Sequence, residues 1–183
     1  MKNTILSMIA MLGLAAAAPA AQGQGYNPFQ IGASGGIAFP TGDLGNTTNT
    51  GYNIAVVVGY KPQLLPVSVR AEAAYNQFGS QGGGGSINIP SFTGNLVYEL
   101  PLGVGFTPYA IGGAGLYRPS VGFNGGGATS AENDFGWNIG GGIKIPLSTS
   151  FETFIEARYN AVNVSGPNGG TASFIPVTVG ILF

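Results

Sequence analysis

From Phe29 onward, apolar side chains recur at every second position through eight successive segments, the period of β-strands rather than of helices. The segments are residues 29–39, 52–60, 67–78, 87–100, 108–118, 134–145, 151–164 and 172–183. In the second, Tyr52, Ile54, Val56, Val58 and Tyr60 share one face. In the fifth, Tyr109, Ile111 and Tyr117 stand opposite Ala110, Gly112, Ala114 and Arg118. The eighth aligns Ile175, Val177, Val179, Ile181 and Phe183. Most segments reach the ~9–11 residues that a tilted membrane strand needs.

The connections alternate in size. Residues 61–66, 101–106 and 146–150 are short and carry Pro, whereas 40–50, 79–86, 119–133 and 165–171 are mostly longer and rich in Gly, Asn, Ser and Thr. Short turns at one end and longer loops at the other are the pattern of a membrane barrel. Residues 82–85 and 125–127 are glycine runs that read as loop tips. The predicted fold is all-β: an eight-stranded antiparallel up-and-down transmembrane β-barrel.

Alternation alone leaves the direction of each face open. A soluble ligand-carrying barrel would turn the Ile/Val/Tyr face inward around a cavity. Composition decides against it, because only 7% of the 183 residues are charged: 6 Lys+Arg and 7 Asp+Glu. The second face is mostly Gly, Ala, Ser and Asn, whereas a soluble surface carries roughly a quarter to a third charged residues. Small side chains suit the crowded interior of an eight-strand barrel. The predicted lipid face therefore holds Ile54, Val56, Val58, Val69, Ala71, Ile111, Ile139, Ile143, Val177 and Val179. Tyr52, Tyr60, Tyr109, Tyr117, Phe135, Tyr159 and Phe183, near strand ends, read as interfacial girdles.

Residues 1–20 read as a cleaved signal peptide, with Lys2, an apolar run over 5–18 and Ala18-Pro19-Ala20 as the cleavage site. The barrel domain is then 21–183, and it holds no other apolar run long enough to cross a bilayer as a helix.

Several chemistries are excluded by inventory. The chain has no His and no Cys, which removes zinc–thiolate sites, disulfides and Cys- or His-based catalysis. Its few scattered cations form no basic stripe, so nucleic acid is not a partner. Gly32-Ala33-Ser34-Gly35-Gly36 matches a nucleophile elbow, but it lies inside a strand pattern and has no histidine base. Gly140–Lys144 is no phosphate loop, because no helix follows it. Asp43, Glu132 and Asp134 lie in or beside loops and read as solvated carboxylates rather than a Ca²⁺ site. No catalytic residue, cofactor site or metal site is expected.

Five stretches carry a family resemblance: 38–44 (AFPTGDL), 108–115 (PYAIGGAG), 140–144 (GGGIK), 156–160 (EARYN) and 176–183 (PVTVGILF). In order and spacing the chain resembles the bacterial outer-membrane β-barrel domain proteins, the small eight-strand group that includes the opacity-protein-like surface antigens. The resemblance implies a Gram-negative-type outer membrane, a lipid partner and insertion by the barrel-assembly machinery, with no catalytic residue to transfer. It also implies that Ile175, Val177, Val179, Ile181 and Phe183, ending the chain, form the signal that the machinery reads.

The inward charges balance. Arg70, Lys144 and Arg158 face Glu72, Glu99 and Glu156, with Glu152 near the periplasmic rim, and are predicted to form an ionic plug in the lower lumen. Independently hydrated groups are the alternative. The functional expectation is a structural or surface-interaction barrel, porin-like only by family analogy, because eight strands leave little room for a pore. The rival readings are a loop-borne adhesin or binding module, meeting an extracellular partner through 40–50 and 119–133, and a soluble periplasmic ligand-carrying β-barrel.

Overall fold

The computed structural model describes residues 27–82, 84–103, 105–123, 132–148, 151–165 and 169–183. Its elements are β1 (Phe29–Thr41), α1 (Gly42–Thr47), β2 (Gly51–Tyr60), β3 (Val67–Gly79), β4 (Gly85–Glu99), β5 (Thr107–Tyr117), β6 (Ser120–Phe123), β7 (Asp134–Pro146), β8 (Glu152–Val164) and β9 (Gly170–Leu182). Residues 1–20, Gly83 and the 125–127 tip lie outside the described residues.

Every strand pair is antiparallel, and β1 pairs with β9 from Gly32↔Leu182 to Thr41↔Ser173. This seam closes the sheet, as hydrocarbon demands, because an unpaired strand edge in lipid costs several kcal/mol for each polar group. β6 is not a ninth stave. It pairs with β4 from Asn88↔Ser120 to Gly85↔Phe123, continuing the register that β5 holds at Ser91↔Tyr117. Pro119 interrupts that run because it has no N–H to donate, while the Arg118 N–H still reaches the Pro90 carbonyl at 2.9 Å. The result is a closed barrel of eight staves.

The first long connection is more ordered than its composition suggested. β1 runs on to Thr41, and Gly42, at φ 57°, turns the chain into α1. That positive φ suits Gly because it has no Cβ to clash. Leu44 of α1 is buried against the barrel mouth. Gln81 donates from Nε2 to the carbonyls of Gly45 and Thr48, each at 3.2 Å, tying the segment to the β3–β4 hairpin.

The outer face is an apolar belt that includes Ile54, Val56, Val58, Val69, Leu96, Ile139, Val177 and Val179. Aromatic pairs mark its two ends: Tyr52–Tyr75 and Trp137–Tyr159 above, Phe29–Tyr60 and Phe151–Phe183 below. On β5 the expected facing is wrong. Ile111 is 2% exposed, and Tyr109 and Tyr117 are buried inside the barrel rather than in a girdle. Register explains the reversal. Ile111 pairs with Val97, and Leu96 pairs with Gly112, so Ile111 must face where inward Val97 faces. The polar hydroxyls of both tyrosines also gain buried partners there, which hydrocarbon could not supply.

Candidate functional site in the barrel lumen

The lumen is filled in layers. Near the extracellular mouth, Ala38, Leu44, Phe78, Ile89, Tyr117, Val162 and Phe174 form one apolar cluster, with Phe78 edge-on to Phe174 at 5.5 Å. Below it lies an amide layer. Asn53 donates to Asn76 at 2.7 Å, Asn138 to Asn95 at 2.9 Å, and the Tyr117 hydroxyl to Asn160 at 2.9 Å. A second apolar cluster of Val57, Val97, Tyr109, Ile111, Phe154 and Leu182 fills the periplasmic half.

The charges sit among these layers, on side chains that alternation turns inward. Arg70 Nη1 donates to Glu156 Oε2 at 2.7 Å, and Arg158 bonds Glu72 through Nη2. Arg158 Nε also lies 2.7 Å from Glu156 Oε1. β3 and β8 are diametrically opposite staves, so these pairs cross the whole lumen. Nearer the periplasm, Lys144 Nζ meets Glu99 Oε1 at 2.5 Å, and Lys61 Nζ meets Glu99 Oε2 at 2.6 Å. Glu152 is 3.9 Å from Lys144 and accepts from Gln30 Nε2 at 3.3 Å. The structure thus assembles Arg70, Glu72, Glu156 and Arg158 into one cluster, and Glu99 with Lys144 into another.

Sequence reasoning missed three participants. Tyr109 donates its hydroxyl to Glu156 Oε2 at 2.7 Å, and its ring lies 5.6 Å from the Arg70 guanidinium carbon and 5.8 Å from Lys144 Nζ. Phe154 covers Arg70 from another side at 5.2 Å. Lys61, read as part of a turn, supplies the extra cation on Glu99. A signal for the inward aromatics exists in the glycines. A Cβ at Gly142 would stand 2.6 Å from the Tyr109 hydroxyl oxygen, and one at Gly136 would stand 2.6 Å from the Tyr117 ring. Each large inward ring lies over a neighbour that has no side chain.

Proline leaves its own mark at the site. Pro176 cannot donate to β8, and the β8–β9 pairing lapses between Ala157↔Val177 and Asn160↔Phe174. The Arg158 carbonyl accepts instead from Asn160 Nδ2 at 3.3 Å. A small cavity of about 10 Å³ lies among Asn53, Glu72, Asn76, Thr93, Arg158 and Asn160, room for about one water. Among the described residues no group of three carboxylates is placed to hold a metal. Asp43 and Glu132 are exposed, while Asp134 is buried and accepts from the Ser165 N–H at 3.0 Å. Ser34 lies within β1, whose neighbours β2 and β9 are strands, so no strand-to-helix elbow forms there.

Residues 7–183 match the outer membrane protein beta-barrel domain family. The chain belongs to that family. Its fold is shared with solved outer membrane proteins at low identity. Neisserial surface protein A superposes with a TM-score of 0.71 at 16% identity, over 87% of this chain and 98% of that one. OprG of Pseudomonas aeruginosa gives 0.52 at 16% identity, over 87% and 98%. A major outer membrane protein of Thermus thermophilus gives 0.50 at 12%, over 86% and 99%. No curated protein matches the chain by sequence. As a member of the outer membrane protein beta-barrel domain family, the protein resides in the cell outer membrane, with its apolar belt in lipid.

Proposed function

We propose that the protein is a non-catalytic, closed barrel that serves the outer membrane as a structural and surface-interaction element rather than as a conducting pore. The observation that carries this reading is the pair of ion contacts between opposite staves, Arg70–Glu156 and Arg158–Glu72, beneath a mouth filled by Leu44. These contacts cross the lumen where a water-filled channel would need a continuous path. The six lumen charges Arg70, Glu72, Glu99, Lys144, Glu156 and Arg158 act as a plug in this reading. The lack of His and Cys, with Ser34 held inside a strand, supports a role without catalysis. Single-channel recording in planar bilayers tests it. The parent protein should show no steady open level, and a steady ohmic pore would overturn the plug.

Surface interaction is assigned to the extracellular segments. The 40–50 segment supports this, because α1 is stapled to the β3–β4 hairpin and offers a fixed rather than a floppy surface. Deleting residues 119–133 and, separately, replacing the exposed α1 residues Asp43 and Asn46 by Ala should each weaken attachment to an extracellular partner while the folded barrel persists; unchanged attachment in the combined variant would remove that role. For biogenesis, the outward row Ile175, Val177, Val179, Ile181 and Phe183 on and just after β9 is the proposed signal for the barrel-assembly machinery.

A further inference from the structure

Chain turns are ordinarily built from Gly, Pro, Asn, Asp and Ser. Those at the short-turn, periplasmic end of this barrel carry leucine beside the usual Pro, Gly and Ser. Leu64 and Leu65 stand between Pro62 and Pro66, Leu102 follows Pro101, and Leu147 follows Pro146. All four are open to the surroundings, with exposures of 93%, 58%, 59% and 58%. Residues 62–66, 100–106 and 146–151 contain no charged side chain. Lys61, at their border, turns its ammonium inward to Glu99.

We propose that these turns insert into the periplasmic leaflet of the outer membrane, so that the lower boundary of the hydrocarbon lies below the strand ends. Three observations carry this. The leucines continue the lipid-facing belt, since Tyr60, Leu100, Phe106 and Phe183 at the adjoining strand ends are themselves exposed and apolar. Proline also lowers the number of backbone donors that these turns present. Pro62, Pro66, Pro101 and Pro146 have no N–H to leave unmet. The remaining donors at the turn borders are met within the chain: Lys61 N–H on Pro28 at 2.7 Å, Glu99 N–H on Pro66 and Leu100 N–H on Pro108 at 2.8 Å, and Leu147 N–H on Phe151 at 3.2 Å. Finally, the prolines fix much of the backbone in advance, so insertion orders little that was free. The Lys61–Glu99–Lys144 cluster then lies just above that boundary, with its ion contacts turned into the lumen and away from lipid.

The test uses the signal-free chain refolded into phosphatidylcholine vesicles, with Trp137→Phe removing the native tryptophan. Leu64→Trp, Leu147→Trp and, as an extracellular control, Ser80→Trp are compared singly. Folding of each is checked by the gel shift on boiling. Lipids brominated near the start of the acyl chain should quench the two turn reporters several-fold more than the control. Aqueous acrylamide should quench them several-fold less. The opposite ranking would overturn the proposal and leave the turns in water, free for a periplasmic protein. In the parent chain, hydroxyl-radical labelling gives an answer that needs no substitution. Labelling of Leu64 as low as that of the belt residue Leu96 supports insertion, and labelling well above it refutes insertion.

Discussion

Ile111 packs among Val97, Tyr109 and Phe154 inside the barrel, whereas Ala110 beside it faces lipid. Truncating Ile111 to Ala therefore removes buried atoms and leaves a cavity, and it should lower the unfolding free energy by about 2–5 kcal/mol. Ala110→Ile adds bulk on the open side and should change it by no more than ~0.5 kcal/mol. Urea titration in vesicles measures both, and the reverse ranking would mean that β5 is turned over. Asn160 works through two atoms. Its Oδ1 accepts from Tyr117, and its Nδ2 covers the Arg158 carbonyl that Pro176 cannot reach. Asn160→Ala strands both partners and should cost about 1–3 kcal/mol, the desolvation penalty of a buried polar group left unmet. A loss no larger than that of an exposed Asn49→Ala control would show that water replaces the amide without penalty.

At the scale of elements, the barrel depends on the β1–β9 seam, which joins the two staves farthest apart in sequence and so carries the largest loop-closure cost. Phe183 extends the seam by one residue: its N–H donates to the Ile31 carbonyl at 2.8 Å, and its carbonyl accepts from the Ile31 N–H at 3.0 Å. Its ring stacks on Phe151 at 5.9 Å. Replacing that ring by Ser keeps both backbone bonds, so Phe183→Ser should refold in detergent with nearly parental yield. In cells the same variant should insert several-fold less if the outward row is read during assembly. The gel shift on boiling scores both experiments, and equal insertion in cells would dispose of the signal role.

For the whole molecule, the lumen charges matter more for what their loss leaves behind than for net attraction. Desolvation of buried ions offsets most of the Coulomb gain, yet removing one partner strands the other. Arg158 answers Glu72 and Glu156 together. Arg158→Met should therefore destabilise by about 3–5 kcal/mol. Arg118 is exposed and, among the described residues, forms no ion pair. Arg118→Met should change stability by no more than ~0.5 kcal/mol. Similar losses at both sites, by urea titration, would mean that the lumen is wet enough to hydrate an unpaired carboxylate.

The eight staves, their approximate ends and most of the lipid face were legible in the chain, because a strand declares its two faces locally, residue by residue. The inward set Arg70, Glu72, Glu99, Lys144, Glu156 and Arg158 was legible for the same reason: charges fall on the face opposite the valines and isoleucines. β5 was not legible. Its bulkier residues Tyr109, Ile111 and Tyr117 share one face, which local pattern assigns to lipid, whereas pairing with β4 turns that face inward. Nor could the sequence say who meets whom. Arg70 and Glu156 are 86 residues apart, and only closure of the sheet sets β3 opposite β8. α1 and Lys61 follow the same logic, since a loop helix gains its place from a rim to lean on, and a turn lysine from a carboxylate that another strand presents. Periodicity is a property of neighbours along the chain. Contact across a lumen is a property of register and closure, and these exist only once the barrel has formed.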